Sequence, residues 1–326
     1  MLPKRSFIGF LTLAVATKHN LFVGGFGNAS VYSLEFDEET LTLDMFENIS
    51  SNSGHSWIAL SHDKANLYGV EIGGQGSSTS AMTPPKPSVG TAAQLMASSN
   101  VYADPFGDCA NVIGVDSTGT LDANFQNISY YSGSGTTIWT YEVDNTTGLL
   151  TYVTTTGAPT TGANPRHATV HPKGKYLYAV LEQSNEFAHY SIDPASHIPQ
   201  FINVTYSLLN ADSSIFWSDD VAVTPDDRTL WVTSRSRDDT ANGTISAYSL
   251  SADGAIESRI FLTNTTTAVS TANTVTVPAW SSQYVALPDP SVGIVQIWFI
   301  EHSMGSIVAK VLLEDGGYCE NAAWVD

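Results

Sequence analysis

Apolar and polar residues alternate with period two along most of this chain, in short turn-bounded phrases that recur. A turn-plus-strand phrase appears as SHDKANLYGV (61–70), HPKGKYLYAV (171–180), TPDDRTLWVT (224–233) and, degraded, WSSQYVALPD (280–289). A hairpin phrase appears as VYSLEFDEETLTL (31–43), IWTYEVDNTTGLLTY (138–152), FAHYSIDPASHIPQF (187–201), ISAYSLSADGAIESR (245–259) and VQIWFIEHSMGSIVA (295–309). A weaker sixth copy is NVIGVDSTGTLDANF (111–125). Tyr141, Tyr190, Tyr248 and Trp298 hold one position of the hairpin phrase at spacings of 49, 58 and 50 residues. Alternation of this kind marks strands with one buried face, and no segment keeps a 3.6-residue period long enough for a long amphipathic helix. A four-stranded repeat of about 40–50 residues with Gly and Asp turns predicts an all-β fold, the β-propeller.

Two segments depart from the repeat. Residues 72–100 are rich in Gly, Ser and Pro and read as a long loop holding at most one poor strand. Between the hairpins at 111–125 and 138–152 stands only QNISYYSGSGTT, where a regular blade needs two more strands, roughly twenty residues with their turns. One blade is therefore expected to be shortened or incomplete.

The stretch Asn164–Pro199 concentrates the candidate chemistry. An inner strand (His167–His171) leads through a Pro-Lys-Gly turn to a second strand (Tyr176–Leu181) that ends in Glu182, then to a third (Phe187–Ile192) that ends in an Asp-Pro turn. Arg166 opens the first strand and Glu182 closes the second, so antiparallel pairing puts both at one end of the sheet. An arginine and a carboxylate at one mouth make either an anion-handling site or an ion pair at a strand end. Aligning Leu177 with Leu230 places Arg235 at the position of Glu182 in the next blade.

Composition narrows the function classes. The 326 residues hold six or seven such units, expected to form a single domain over residues 18–326. A net charge of −19 argues against nucleic acid and anionic membrane surfaces as partners. The N-terminus carries Lys4-Arg5, an apolar run from Phe7 to Ala16 and the small-residue site Ala14-Val15-Ala16, the pattern of a secretory signal peptide over residues 1–17. The alternative is a buried first strand, since LFVGGF (21–26) follows at once. Asn-x-Ser/Thr sequons at Asn28, Asn48, Asn127, Asn145, Asn203, Asn242 and Asn264 fit an extracellular glycoprotein, Asn145 and Asn242 lying in or beside predicted turns. Cys109 and Cys319 fit one disulfide or two buried thiols equally well.

The phrases NPRHATVHPKGKYLYAVLE (164–182), YSIDPASHIP (190–199), TSR (233–235) and ENAAW (320–324) resemble the 3-carboxy-cis,cis-muconate lactonizing enzymes (carboxymuconate cyclases). These belong to the seven-bladed propeller lactonases, which include 6-phosphogluconolactonases. The resemblance runs from about residue 20 to 326 and implies a nominally seven-bladed propeller with one incomplete blade. Residue by residue, Arg166 matches the family's active-site arginine, with Asn164 where the family has His before Pro. Glu182 matches its strand-end glutamate, and Arg235 the arginine of its S-S-R strand end. The implied substrate is a small polycarboxylate or lactone, with no metal and no organic cofactor. Arginines would hold carboxylates by bidentate bonds, and Glu182 would supply the proton. The family's catalytic histidine opens an inner strand in the blade before Arg166, and no histidine here matches it. His167, next to Arg166, is expected by alternation to point away; His55 and Asn321, at inner-strand starts, are expected to line the channel. Asp219 and Asn273 lie near such starts too, and Trp57, Trp217 and Trp324 are expected in the core. His171, in the HPKG turn, is expected to be structural. Three functions stay open: an extracellular lactonizing enzyme of reduced activity, a secreted anion-binding propeller without turnover, and a lactone hydrolase like the 6-phosphogluconolactonases. Oligomeric state is not legible.

Overall fold

A computed structural model describes residues 18–25, 29–51, 54–61, 63–71, 79–82, 99–103, 109–116, 120–129, 136–209, 214–268, 274–313 and 319–325. The expected signal peptide, Asn28 and Asn273 lie outside these. The strands run, blade by blade, as β1 (Lys18–Gly25), β2 (Ser30–Asp37) and β3 (Thr42–Ser50); β4 (His55–Leu60), β5 (Leu67–Glu71) and β6 (Thr79–Met82); β7 (Ser99–Ala103), β8 (Cys109–Val115) and β9 (Leu121–Ser129); and β10 (Thr137–Val143) with β11 (Leu150–Gly157). The second half continues with β12 (Pro165–Val170), β13 (Tyr176–Leu181), β14 (Glu186–Ile192) and β15 (Pro199–Ser207); β16 (Phe216–Val223), β17 (Thr229–Ser236), β18 (Asn242–Leu250) and β19 (Ile256–Ala268); β20 (Tyr284–Asp289), β21 (Ile294–Glu301) and β22 (Met304–Leu312); and β23 (Cys319–Trp324).

These strands pair into seven antiparallel sheets, the blades of the propeller. Blade I is built from both chain ends, in the order β23-β1-β2-β3, with Val23 opposite Ala322 and Leu21 opposite Trp324. Terminal pairing of this kind closes the ring and leaves no open edge between its ends. Blades V and VI are complete four-stranded sheets with β12 and β16 innermost. Blade IV has two strands among the described residues, β10 and β11, and only residues 130–136 separate β9 from β10. That length cannot supply two strands, so the short blade expected from the sequence is present. Two short strands, β6 and β7, fall in or at the end of the 72–100 stretch, where at most one was expected. Among the described residues the helical structure is one 3-10 turn, Glu182–Ser184.

The hairpin phrases fold as they do because their aspartates close the turns. Asp37, Asp144 and Asp193 each accept two backbone N–H groups from the residues two and three ahead. Those bonds hold each carboxyl below its ordinary range. Four residues after each aspartate the chain takes a positive φ, at Leu41, Gly148 and His197, the left-handed step that returns the strand.

The core lies between blades. Tyr178, Val180 and Phe187 of blade V meet Val221, Val232 and Tyr248 of blade VI. Trp231 and Ile245 meet Val285, Leu287 and Trp298 of blade VII. Leu21 and Phe36 meet Tyr284, Ile297 and Trp324 across the closure. Trp324, expected in the core, is there: its ring packs against Trp280 and Phe36, and its Nε1 donates to the Thr276 carbonyl at 3.0 Å. Cys319 is a free, buried thiol donating to the carbonyls of Asp289 and Ile294, and burial pushes its pKa up. His171 is buried against Gly254, with its Nε2 3.1 Å from the Asp227 carbonyl, a structural residue as expected.

Because Trp324 ties the closing strand to two blades, Trp324→Ala should destabilise the protein by about 3–5 kcal/mol, as large-to-small core changes do. Denaturant unfolding measures it, and a loss under about 1 kcal/mol would mean that the closure does not depend on this side chain.

Candidate active site at the bulged inner strands

The innermost strands do not pair evenly, and their irregularities carry the site. In β12, Pro165 faces Leu181 and Ala168 faces Ala179, so Arg166 and His167 together oppose the single residue Val180. In β16, Ser218 faces Ser234 and Val221 faces Val232, so Asp219 and Asp220 together oppose Thr233. In β23, Asn321 faces Gly24 and Cys319 faces Gly25, which leaves Glu320 as the extra residue. Each is a β-bulge, which breaks the two-residue alternation and re-aims side chains. The Asp220 amide uses the freed position to donate to Thr233 Oγ1 at 3.2 Å.

The two bulges of blades V and VI meet residue for residue. Arg166 Nε lies 3.3 Å from Asp219 Oδ1, and His167 Nδ1 lies 3.1 Å from Asp220 Oδ1. Glu182 and Arg235, from the ends of the second strands, complete the cluster. Glu182 Oε1 accepts from Arg166 Nη1 at 3.1 Å and from Arg235 Nη2 at 2.6 Å. Arg235 Nη1 is also 3.6 Å from Asp219 Oδ1. Asn164, at φ 58°, donates its side-chain amide to Glu182 Oε2 at 2.8 Å. Asparagine tolerates this left-handed backbone better than most residues.

Arg166, Glu182 and Arg235, predicted from residues far apart in sequence, are thus in direct contact at one end of blades V and VI. They are not equally accessible. The Arg166 side chain is 22% exposed, against 8% for Arg235 and 11% for Glu182. Arg166 lies on the wall of a central cavity of about 470 Å³, together with Trp57, His167, Asp220 and Asn321. Glu182 and Arg235 stand behind it, Arg235 lying 5.2 Å from the Trp217 ring centroid. Burial alone would lower the pKa of Arg166, but Asp219 and Glu182 outweigh it and hold the guanidinium charged.

Several expectations need correction. His167 does not point away from the channel: the bulge at Arg166–His167 puts both consecutive residues on the cavity wall. Trp57, expected in the core, is 40% exposed there and packs edge-on against the His167 ring at 4.9 Å. His55, expected to line the pore, is fully buried and lies against Gly69, where a Cβ would come within 2.7 Å of its Cγ. The register shift between His55 and Trp57 exchanges their places, so the tryptophan reaches the cavity. Asn321 does line the cavity, while its Oδ1 accepts the Ile58 amide at 3.0 Å and ties blade I to blade II. Among the described residues no three His, Cys, Asp or Glu side chains are placed to hold a metal ion.

Glu320 was quoted from the sequence as part of a phrase and not as a site residue. Its side chain is buried, and its Oε2 has no hydrogen-bond partner among the described residues. Burial, and then the Asp219 charge, push its pKa up to about 8 against the pull of Arg166 and Arg235. Near neutral pH it is largely a neutral acid beside the ion cluster.

Known proteins place this geometry. The family model described as "Lactonase, 7-bladed beta-propeller" matches residues 135–268. The carboxy-cis,cis-muconate cyclase of Neurospora crassa is 27% identical, over 94% of this chain and 99% of that one. Muconate cycloisomerase 1 of Cutaneotrichosporon cutaneum is 24% identical over 87% of this chain and 91% of that one. Among solved structures, the periplasmic gluconolactonase of Pseudomonas aeruginosa superposes with a TM-score of 0.72 at 14% identity, covering 95% of this chain and 99% of that one; at that identity the likeness is one of fold. The resemblance drawn from the sequence holds: the chain is a propeller similar to the seven-bladed lactonases and to the carboxymuconate cyclases.

The state of Glu320 is testable apart from any activity. A carboxyl protonated in the folded chain but ionised in the unfolded one makes folding bind a proton between the two pKa values. Stability therefore falls as pH rises from the ordinary glutamate range toward about 8. Glu320→Gln removes that loss, so the variant should gain in Tm over wild type as pH is raised, with the gain levelling off above about 8. A constant difference across that range would show that Glu320 is ionised in both states.

Proposed function

We propose that this chain is a secreted enzyme of the carboxymuconate-cyclase type, which closes a lactone ring on a small unsaturated polycarboxylate. The observation that carries this reading is Arg166, held charged between Asp219 and Glu182 and still exposed on the wall of a 470 Å³ cavity. A guanidinium fixed on two sides keeps its remaining N–H groups in one orientation, which suits a bidentate grip on a substrate carboxylate. Gripping one carboxylate leaves another to meet the C=C bond, so ring closure becomes a positioned intramolecular step. The likeness to the Neurospora cyclase, spanning 94% of this chain, supports the reaction class.

A second reading, hydrolysis of a lactone, has its own support in the charges. Both arginines already share Glu182 and Asp219, and Asp220 adds a further carboxylate on the cavity wall. Such a balance favours a ligand of low charge, as an uncharged lactone ring is, over a trianion.

One pair of assays separates these readings. Loss of diene absorbance from 3-carboxy-cis,cis-muconate reports ring closure; acid release from a sugar δ-lactone in a pH-stat reports hydrolysis. We expect the first to exceed the second. Arg166→Ala should weaken tricarboxylate binding by about 1.5–3 kcal/mol, the range for a hydrogen bond to a charged group. Binding without turnover of either compound would make the chain an anion-binding propeller, and unaltered affinity in Arg166→Ala would remove Arg166 from the site.

Secretion makes a separate prediction. Asn48, Asn145, Asn203 and Asn264 are exposed, whereas Asn242 is half-buried and donates its side-chain amide to the Thr265 carbonyl at 2.9 Å. Expression in a secreting eukaryotic host should remove residues 1–16 or 1–17 and place glycans at some of the four exposed sequons but not at Asn242. Peptide mass spectrometry reads both; an intact Met1 without glycans would rule out the secretory route.

A further inference from the structure

The cavity needs a group that moves a proton, and Glu182 is badly placed to be that group. Its two oxygens accept bonds from Arg166, Arg235 and Asn164, and it stands behind Arg166, away from the cavity wall. Glu320 is also off the wall. Of the two titratable groups on the wall besides Arg166, Asp220 is tied to two backbone amides, which leaves His167 to carry the proton.

We propose that His167, oriented by Asp220, is the general acid of this site. The inference rests on the lactone-closing reading and adds the residue that completes it. Asp220 is fixed from two directions: Oδ1 accepts the Val221 amide at 2.8 Å, and Oδ2 accepts the Val275 amide of the neighbouring blade at 2.9 Å. Its Oδ1 also meets His167 Nδ1 at 3.1 Å, and a carboxylate there holds the proton on Nδ1. The ring's hydrogen bond is made through Nδ1, which leaves Nε2, on the opposite side, toward the partly open cavity, the side chain being 26% exposed. Trp57 packs edge-on against the ring and limits its rotation. Arg166 precedes His167 on the same bulge, so the anion grip and the proton source occupy one cavity wall and are held by consecutive residues.

The step balances without a further reactant. A substrate carboxylate oxygen bonds to the near alkene carbon, and the π pair moves to the adjoining carbon. There it takes the proton from Nε2–H of the imidazolium. One C–O and one C–H bond form, one π bond breaks, and the neutral imidazole regains a proton from solvent, so the sum is substrate plus one proton giving lactone. Asp220 holds the Nδ1 proton throughout and stabilises the imidazolium before transfer.

The test compares wild type, His167→Ala and Asp220→Asn, each first shown to be folded by its melting curve. On 3-carboxy-cis,cis-muconate, His167→Ala should lose at least about 100-fold in kcat, the low end for general acid–base catalysis, with KM changed less than about threefold. Added imidazole should restore part of the lost rate, which a purely structural histidine would not allow. Asp220→Asn should lower kcat in the same direction, without imidazole rescue. Wild-type turnover kept in His167→Ala would overturn the proposal while leaving the lactonizing reading intact. If wild type turns over no substrate, that reading falls, and carbethoxylation of the histidines by diethyl pyrocarbonate decides on the dyad. Tricarballylate-protected labelling of His167 that slows in Asp220→Asn would uphold a reactive dyad in the cavity. Labelling of the exposed His197 and His302 alone would overturn it.

Discussion

The site depends on one backbone constraint: the innermost strands β4, β12, β16 and β23 each carry an extra residue near the cavity. An evenly paired strand shows every second side chain to one face, so Arg166 and His167 could not both face inward, nor could Asp219 and Asp220 both meet them. The bulge relaxes that rule at one place per strand. Because blades V and VI repeat the same register, their bulges stand side by side, and the two pairs lock as Arg166–Asp219 and His167–Asp220. Glu320, the extra residue of β23, arises from the same irregularity in blade I. Polar chemistry is thereby confined to the strand starts, while the strand middles remain free for the apolar packing between blades.

The ion cluster is a consequence with a cost attached. Asp219 and Arg235 are buried, and bringing such groups out of water is unfavourable unless each is matched. Here two guanidinium groups divide between two carboxylates, and the Asn164 amide takes the remaining Glu182 oxygen. The third carboxylate beside them, Glu320, is shifted upward by its burial and then by the Asp219 charge, and the pull of the two arginines does not cancel this. Positive charge at this mouth is therefore rationed: Arg235 orders Glu182, Glu182 orders Arg166, and Arg166 is the more exposed of the two arginines.

The fold was legible in the sequence because repetition and alternation are local properties. The hairpin phrases ending at Asp37, Asp144 and Asp193 all fold about the same aspartate turn, and the scarcity of residues between Phe125 and Ile138 does mark a two-stranded blade. The contact of Arg166, Glu182 and Arg235 was legible too, since aligning two blades puts them at one end. His167 was misplaced because alternation was carried through a strand start, where the bulge reverses it; His55, placed by its position at a strand start, and Trp57, placed by residue type, are re-aimed by a second bulge in β4. A signal did exist. The adjacent charged or polar pairs Arg166–His167 and Asp219–Asp220 open the inner strands of consecutive blades, and two neighbouring polar residues at the start of a buried strand fit poorly unless a bulge serves both. Glu320 was obscured differently, since one acidic residue at a strand start carries no mark of the neighbours that burial will give it.

The incomplete blade bears on the chemistry through the same logic. In a propeller every inner strand reaches the same cavity, so a side chain's use is set by its depth along the strand and its inward aim, and less by which blade supplies it. Blade IV shows two strands among the described residues, and an inward-aimed imidazole on the neighbouring blade opens onto the shared cavity. To deliver a proton there, the ring must be held in one tautomer and kept from swinging. Asp220 meets the first condition from blade VI, and Trp57 the second from blade II. Both partners come from blades other than the one that carries His167, so the arrangement exists only in the closed ring, and the pairing of β1 with β23 is as much a requirement of the site as of the fold.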